Sequence, residues 1–281
     1  MSTIYKSDAG AAEIQRRYAE GLREWPVPAE YLRVPTRQGE TFVIASGPAE
    51  APPVLLLHGS GGNSAMWRGD IASWATHFRV YAIDIIGEPG RSAPTRPPLD
   101  SDAMADWLDE VREALGCTGM AIVGISLGGL VAAHYATRNP ERVHRLALLC
   151  PSGIGRQTMG WVVKALPLRL LGRNGLRRIA RLVTGLDGPR YESALDTSVL
   201  TFTHYRPRTE RLPILPDAAL RRLTMPVLII VGERDVMLDS AETARQAREF
   251  IPNATVRVLP GVGHAIVEQT DAVQRFLLDQ S

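Results

Sequence analysis

Short apolar runs punctuate this chain, and between them lie stretches whose apolar residues recur every three or four positions. The runs are Pro53–Leu57, Phe78–Ile83, Met120–Val123, Val143–Leu149, Pro226–Val231 and Ala254–Leu259. They are too short for typical helices and read as strands buried on both faces, the kind that build parallel sheets. Tyr31–Val34 and Thr41–Ala45 add two more segments of strand character. In Asp102–Leu115 the apolar positions are Met104, Trp107, Leu108, Val111 and Leu115, a helical stripe with Ser101 or Asp102 as the expected N-cap. Residues 8–24 stack Ile14, Tyr18 and Leu22 on one helical face and end at Pro26 and Pro28. Ser240–Ile251 and Asp271–Leu278 also read as helices. Strands alternating with helices predict an α/β fold: a mostly parallel, doubly wound sheet of about eight strands.

The segment from Arg156 to Arg222 breaks the rhythm. It has no clean strand, several prolines, and 13 Arg or Lys against 5 Asp or Glu, a charge near +8. The rest of the chain has 19 basic and 25 acidic residues, or −6. We read residues 156–222 as a helical cap inserted into a core made of residues 1–155 and 223–281. Its stretch Arg173-Asn-Gly-Leu-Arg-Arg-Ile-Ala-Arg181 allows two readings. One is a solvated helix face with Ile179, Leu182 and Val183 turned inward. The other is a basic surface that receives an anionic part of a substrate.

Composition narrows the function classes. Of 281 residues, 45% are hydrophobic, and the formal net charge is +2, which gives no global pull toward nucleic acid or membrane. The first ten residues, M-S-T-I-Y-K-S-D-A-G, lack the apolar stretch of a secretory leader, and no run approaches the roughly 18 apolar residues of a membrane span. The expectation is a cytoplasmic protein without a membrane span, monomeric or dimeric. Two cysteines, Cys117 and Cys150, are too few for a disulfide framework or a metal cluster and read as small core residues.

In open parallel α/β sheets, chemistry sits where strands end at their carboxyl side. After Met120–Val123 comes Gly124-Ile125-Ser126-Leu127-Gly128, with Gly129 next. A serine between glycines at a strand-to-helix turn is presented as a nucleophile: the turn strains its backbone, and a flanking Cβ would clash. The following helix aims its N–H groups at whatever bonds to the serine oxygen. After Pro53–Leu57 comes His58-Gly59-Ser60-Gly61-Gly62-Asn63, a loop whose backbone can approach a substrate oxygen. The expected oxyanion donors are the N–H groups of Leu127 and Ser60. The G-K-[ST] ending of a phosphate loop is missing. After Pro226–Val231 comes Gly232-Glu233-Arg234-Asp235, where Asp235 is the expected orienting carboxylate and Glu233 and Asp239 are its rivals. After Ala254–Leu259 comes Pro260-Gly261-Val262-Gly263-His264, whose histidine can reach the elbow. His77, His134, His144, His204 and His58 are worse placed.

Taken together, these stretches resemble the α/β-hydrolase superfamily, and within it the small bacterial carboxylesterase-type serine hydrolases. The likeness rests on Leu56–Gly62, Gly124–Gly129, Gly232–Asp235, Gly263-His264 and Asp84-Ile-Ile-Gly-Glu-Pro-Gly-Arg-Ser92. The last resembles the family's D-x-x-G-x-G-x-S loop with one extra residue in its middle. The resemblance implies a Ser126, Asp235, His264 triad that hydrolyses a small-molecule carboxylic ester, lactone or thioester through an acyl-enzyme, with no metal or cofactor. Ser126 argues against dehalogenases and epoxide hydrolases, which use Asp there. The alternatives are a meta-cleavage C–C hydrolase, against which Gly62-Asn63 and Ala265 speak, and a non-hydrolytic cyclase or binding scaffold.

Overall fold

The apolar runs become one sheet. The computed structural model describes residues 4–279; residues 1–3, part of the N-terminal stretch read above as lacking a leader, and residues 280–281 lie outside the described chain. The strands are β1 (Ala29–Val34), β2 (Thr41–Ser46), β3 (Pro53–Leu57), β4 (Arg79–Ile83), β5 (Met120–Ile125), β6 (Val143–Leu149), β7 (Val227–Gly232) and β8 (Ala254–Leu259). Their spatial order is β1-β2-β4-β3-β5-β6-β7-β8. β1 pairs antiparallel with β2 and β2 antiparallel with β4, while β3 through β8 run parallel.

Side-chain alternation along the strands divides the core in two. From β3, Leu55 and Leu57 enter one cluster, where Trp107, Leu108 and Val111 of α3 (Ala103–Ala114) and Leu130, Val131 and Tyr135 of α4 (Leu127–Arg138) pack. Val54 and Leu56 enter the other, with Tyr18 and Leu22 of α1 (Asp8–Arg23), Trp74 of α2 (Ile71–Trp74) and Val273 and Leu277 of α10 (Thr270–Leu278). Both faces are therefore dry, which is why the central strands read as continuous apolar runs. Truncating fully buried Leu56 to Ala would cost about 2–5 kcal/mol in lost transfer energy and cavity.

Two expectations need correction. β8 is not buried on both faces: it is the sheet's edge, its residues are half-buried or exposed, and Thr255 and Arg257 interrupt its apolar positions. Asp102 does stand at the N-cap position of α3, but no side chain caps that helix well. Asp102 has helical backbone angles and makes no cap bond; it pairs with Arg138 at 2.7 Å. The Ser101 hydroxyl accepts only a long 3.4 Å bond from Ala103 N–H. The helical stretch Ser64–Trp74, which includes α2, was not anticipated because it carries no full helical stripe.

Between β6 and β7 the chain forms α5 (Gly160–Leu168), α6 (Gly172–Thr184), α7 (Glu192–His204) and the short α8 (Asp217–Leu220); α9 (Ser240–Phe250) follows β7. Three of the four α6 arginines face the acids of α7 and the loop before it. Arg177 pairs with Glu192 and with Asp196 at 2.5 Å, Arg181 with Glu192 at 3.1 Å, and Arg173 with Asp196 at 3.7 Å. Ile179 and Val183 turn inward and Leu182 is half-buried. These ion pairs fit the reading of a solvated helix face. Among the described residues, no helix is long and apolar enough to cross a membrane.

Candidate active site

From β3 the neighbouring parallel strands diverge in sequence order, to β4 on one side and to β5 on the other. At such a switch point the loops leaving the two central strands part and open a crevice at their carboxyl ends. The β3 loop carries His58–Asn63 and the β5 loop carries Ser126, so the glycine loop and the serine meet there. A Cβ on Gly59 would stand 3.5 Å from the Ser126 Cβ.

Ser126 has φ 52° and ψ −110°, in the left-handed half of backbone space. Such a conformation costs a non-glycine residue on the order of 1–3 kcal/mol and persists where its surroundings fix it. Three backbone bonds do so here. Ser126 N–H donates to Leu149 O at 3.0 Å, and Ser126 O accepts from Leu130 N–H at 3.0 Å and Ser152 N–H at 3.1 Å. The flanking glycines are required by space. A Cβ on Gly124 would lie 2.5 Å from Gly128 O, and one on Gly128 would lie 2.2 Å from Leu57 O.

His264 follows β8 and reaches back across the sheet. Its Nε2 lies 3.1 Å from Ser126 Oγ, and its Nδ1 lies 2.7 Å from Asp235 Oδ2. The Asp235 side chain is fully buried, and its other oxygen accepts from Met237 N–H at 2.7 Å and Leu238 N–H at 3.1 Å. The carboxylate is thus fixed on one side and free to accept only from His264 on the other. Glu233 instead accepts from Gly261 N–H at 2.9 Å, and Asp239 caps α9 by accepting from Glu242 N–H at 2.9 Å. Burial disfavours the charged imidazole, while Cys150 and Asp235 favour it, and the balance raises the His264 pKa above its ordinary value. With Nδ1–H donated to the carboxylate, Nε2 is left with its lone pair facing Ser126 Oγ.

Leu127 opens α4, so its N–H is one of the four that an α-helix leaves without an internal partner. Among the described residues, no protein acceptor takes the N–H of Leu127 or of Ser60. The glycine loop holding Ser60 is tied down around that group. His58 is fully buried; Ile85 N–H donates to its Nε2 at 3.0 Å, which leaves Nδ1–H to donate to Gly59 O at 2.8 Å. Gly62 N–H also donates to Gly59 O, at 3.1 Å.

Three residues of this site escaped sequence reasoning. Cys150, at the end of β6 with φ 40°, places Sγ 4.0 Å from His264 Nε2; a lone cysteine in an apolar context gives no such signal. His58 was noted only as the start of the glycine loop. Glu88 is fully buried and accepts from Gly61 N–H at 2.6 Å, from Tyr205 OH at 2.7 Å and from Ser60 OH at 3.3 Å, all at Oε2. The extra residue in the Asp84–Ser92 stretch was the available clue. Asp84 itself braces the loop, accepting from Tyr18 OH, Ser64 N–H and Arg91 N–H.

Fold and site together have counterparts among known proteins. The family profile described as alpha/beta hydrolase fold matches residues 52–271. A Bacillus subtilis (strain 168) protein named uncharacterized carboxylesterase nap is 33% identical over 282 residues, covering 96% of this chain and 93% of its own. The crystal structure of carboxylesterase CesB (YbfK) from Bacillus subtilis superposes with a TM-score of 0.83 at 28% identity, over 96% of this chain and 99% of that one. The crystal structure of naproxen esterase (carboxylesterase NP) from Bacillus subtilis gives a TM-score of 0.81 at 31% identity, over 96% of each chain. The chain belongs to the α/β-hydrolase family, as a carboxylesterase-type member.

Proposed function

We propose that this protein hydrolyses small-molecule carboxylic esters through a Ser126–His264–Asp235 triad and an acyl-enzyme. The observation that carries the reading is the continuous hydrogen-bonded series from Ser126 Oγ through both nitrogens of His264 to Asp235 Oδ2, at 3.1 and 2.7 Å. As Oγ attacks the ester carbonyl, its proton passes to Nε2, and Asp235 holds the ring in the required tautomer and balances the imidazolium. The N–H groups of Leu127 and Ser60 receive the carbonyl oxygen as it becomes an oxyanion, each worth about 3 kcal/mol in the transition state. His264 returns the proton to the departing alcohol. It then takes one from the water that attacks the acyl-enzyme, and passes it to Ser126 Oγ as the acyl–oxygen bond breaks and the carboxylic acid is released.

Residues 156–222 serve as the cap over this chemistry. Thr184 O accepts from Ala265 N–H at 2.9 Å, beside His264, and Thr201 Oγ donates to Gly61 O at 3.4 Å in the glycine loop. The cap therefore touches both the histidine loop and the oxyanion loop, which suits it to form the walls that select acyl and alcohol groups. The relatives' names support ester cleavage over C–C cleavage, and Ala265 after His264 fits that choice. The test is a panel of p-nitrophenyl acyl esters with the wild type and Ser126→Ala. The wild type is expected to turn over at least one, and Ser126→Ala none. A variant that keeps the wild-type rate would refute the assignment.

A further inference from the structure

Glu88 is a buried acid with no part in the proton relay, in the Asp84–Ser92 stretch that is one residue longer than the pattern it resembles. Its surroundings are all donors. Oε2 gathers Gly61 N–H, Tyr205 OH and Ser60 OH, and Oε1 faces Arg208 Nε at 3.6 Å. The Arg208 side chain is 4% exposed, so the ion pair is closed to solvent. Burial and Glu88 push the Tyr205 phenol well up, which keeps it a donor. Gly61 also abuts α7: a Cβ there would lie 3.1 Å from the Thr201 methyl.

We propose that Glu88 is a positioning residue for the oxyanion hole, and that through Tyr205 and Arg208 it locks the oxyanion loop to the end of the cap. This rests on the reading of Ser60 N–H as an oxyanion donor. Ser60 stands between two fixed points. On one side Gly59 O is held by His58 and Gly62; on the other Gly61 N–H is held by Glu88. Fixing the peptides on both sides sets the direction of the Ser60 N–H before substrate arrives, and such preorganisation is what makes an oxyanion donor effective. Remove the carboxylate and the Gly61 peptide is free to rotate. The Gly59–Ser60 peptide, which carries the Ser60 N–H, then keeps only the two bonds at Gly59 O, and the direction of that N–H is held from one side alone. An acidic side chain suits the task because it only accepts, and one oxygen can serve several donors at once.

The experiment compares Glu88→Ala and Glu88→Gln with the wild type and Ser126→Ala on one p-nitrophenyl ester. It also measures inhibition by an arylboronic acid, which forms a tetrahedral adduct on a reactive serine. Loss of positioning lowers kcat about tenfold or more for Glu88→Ala and about fivefold for Glu88→Gln, with KM changed less than twofold. Boronate affinity falls by a similar factor as kcat/KM. Because Gln has the same shape, it places an N–H₂ against either Gly61 N–H or Arg208, and it decides the matter if Glu88→Ala fails to fold. A merely structural role would lower thermal stability and the yield of active protein, but leave kcat per active site and boronate affinity unchanged. A folded Glu88 variant with wild-type kcat and boronate affinity, alongside an inactive Ser126→Ala, overturns this proposal alone. An active Ser126→Ala overturns the triad reading instead.

Discussion

His264 Nε2 lies 3.1 Å from Ser126 Oγ, although the two residues are 138 positions apart in the chain. Neither is placed by local sequence alone. Ser126 is fixed by a strained turn whose backbone bonds reach β6 and the loop after it. His264 is fixed by Asp235, which is itself anchored by two backbone N–H groups.

The anchoring of Asp235 leads to the first prediction. Asp235→Asn keeps the size of the side chain but presents either an amide oxygen or a donor to Nδ1, and it removes the charge that balances the imidazolium. We expect kcat for ester hydrolysis to fall by roughly 10³–10⁴-fold with KM little changed. Steady-state kinetics with an unaltered circular dichroism spectrum would check it. A loss below about tenfold would remove Asp235 from the mechanism.

The pH profile follows from the His264 environment. In the proposed mechanism His264 must be neutral to take the Ser126 proton, and its pKa lies above the ordinary imidazole value of about 6.5. The proton therefore stays on the ring to higher pH. Activity should be lost as pH falls through the raised pKa and should grow as pH rises through it. We expect the acid limb of kcat/KM to have its inflection on the alkaline side of 6.5. An inflection below that value would mean that burial outweighs Cys150 and Asp235.

How much of this was legible beforehand depends on whether the deciding contact is local. The strands could be read because both faces of the sheet are dry, so β3 to β7 are nearly unbroken apolar runs. β8 departs from this pattern: Thr255 and Arg257 break its apolar positions, which is how an edge strand with one wetter face reads. Ser126 could be read because the close approach of Gly128 to Leu57 O forces glycine into the sequence beside it. Glu88 and Cys150 were missed for the opposite reason. What each does depends on partners far away in the chain: Tyr205 and Arg208 for Glu88, and His264 for Cys150. No spacing rule registers those partners. The arginines of α6 left two readings open, and their pairing with Glu192 and Asp196 favours the solvated face.

The elbow itself is testable by adding a single methyl group. At Gly128 a Cβ would meet Leu57 O at 2.2 Å and His58 O at 2.6 Å, both backbone atoms that no side-chain rotation can move aside. Gly128→Ala must push α4 away from β3, displacing Leu127 N–H and the Ser126 turn. Overpacking of this kind costs about 1–3 kcal/mol. We expect a lower unfolding midpoint in urea and a drop in kcat of at least tenfold. A variant with wild-type stability and rate would show that α4 and β3 are less tightly apposed than described.

The central claim is that Ser126 is a nucleophile activated by His264, and covalent labelling tests it most directly. The purified protein is treated with a fluorophosphonate, digested, and mapped by mass spectrometry. One adduct, on Ser126, should form in the wild type and should be lost or strongly slowed in His264→Ala. An unmodified Ser126 in folded wild-type protein, or equal labelling without His264, would contradict the account.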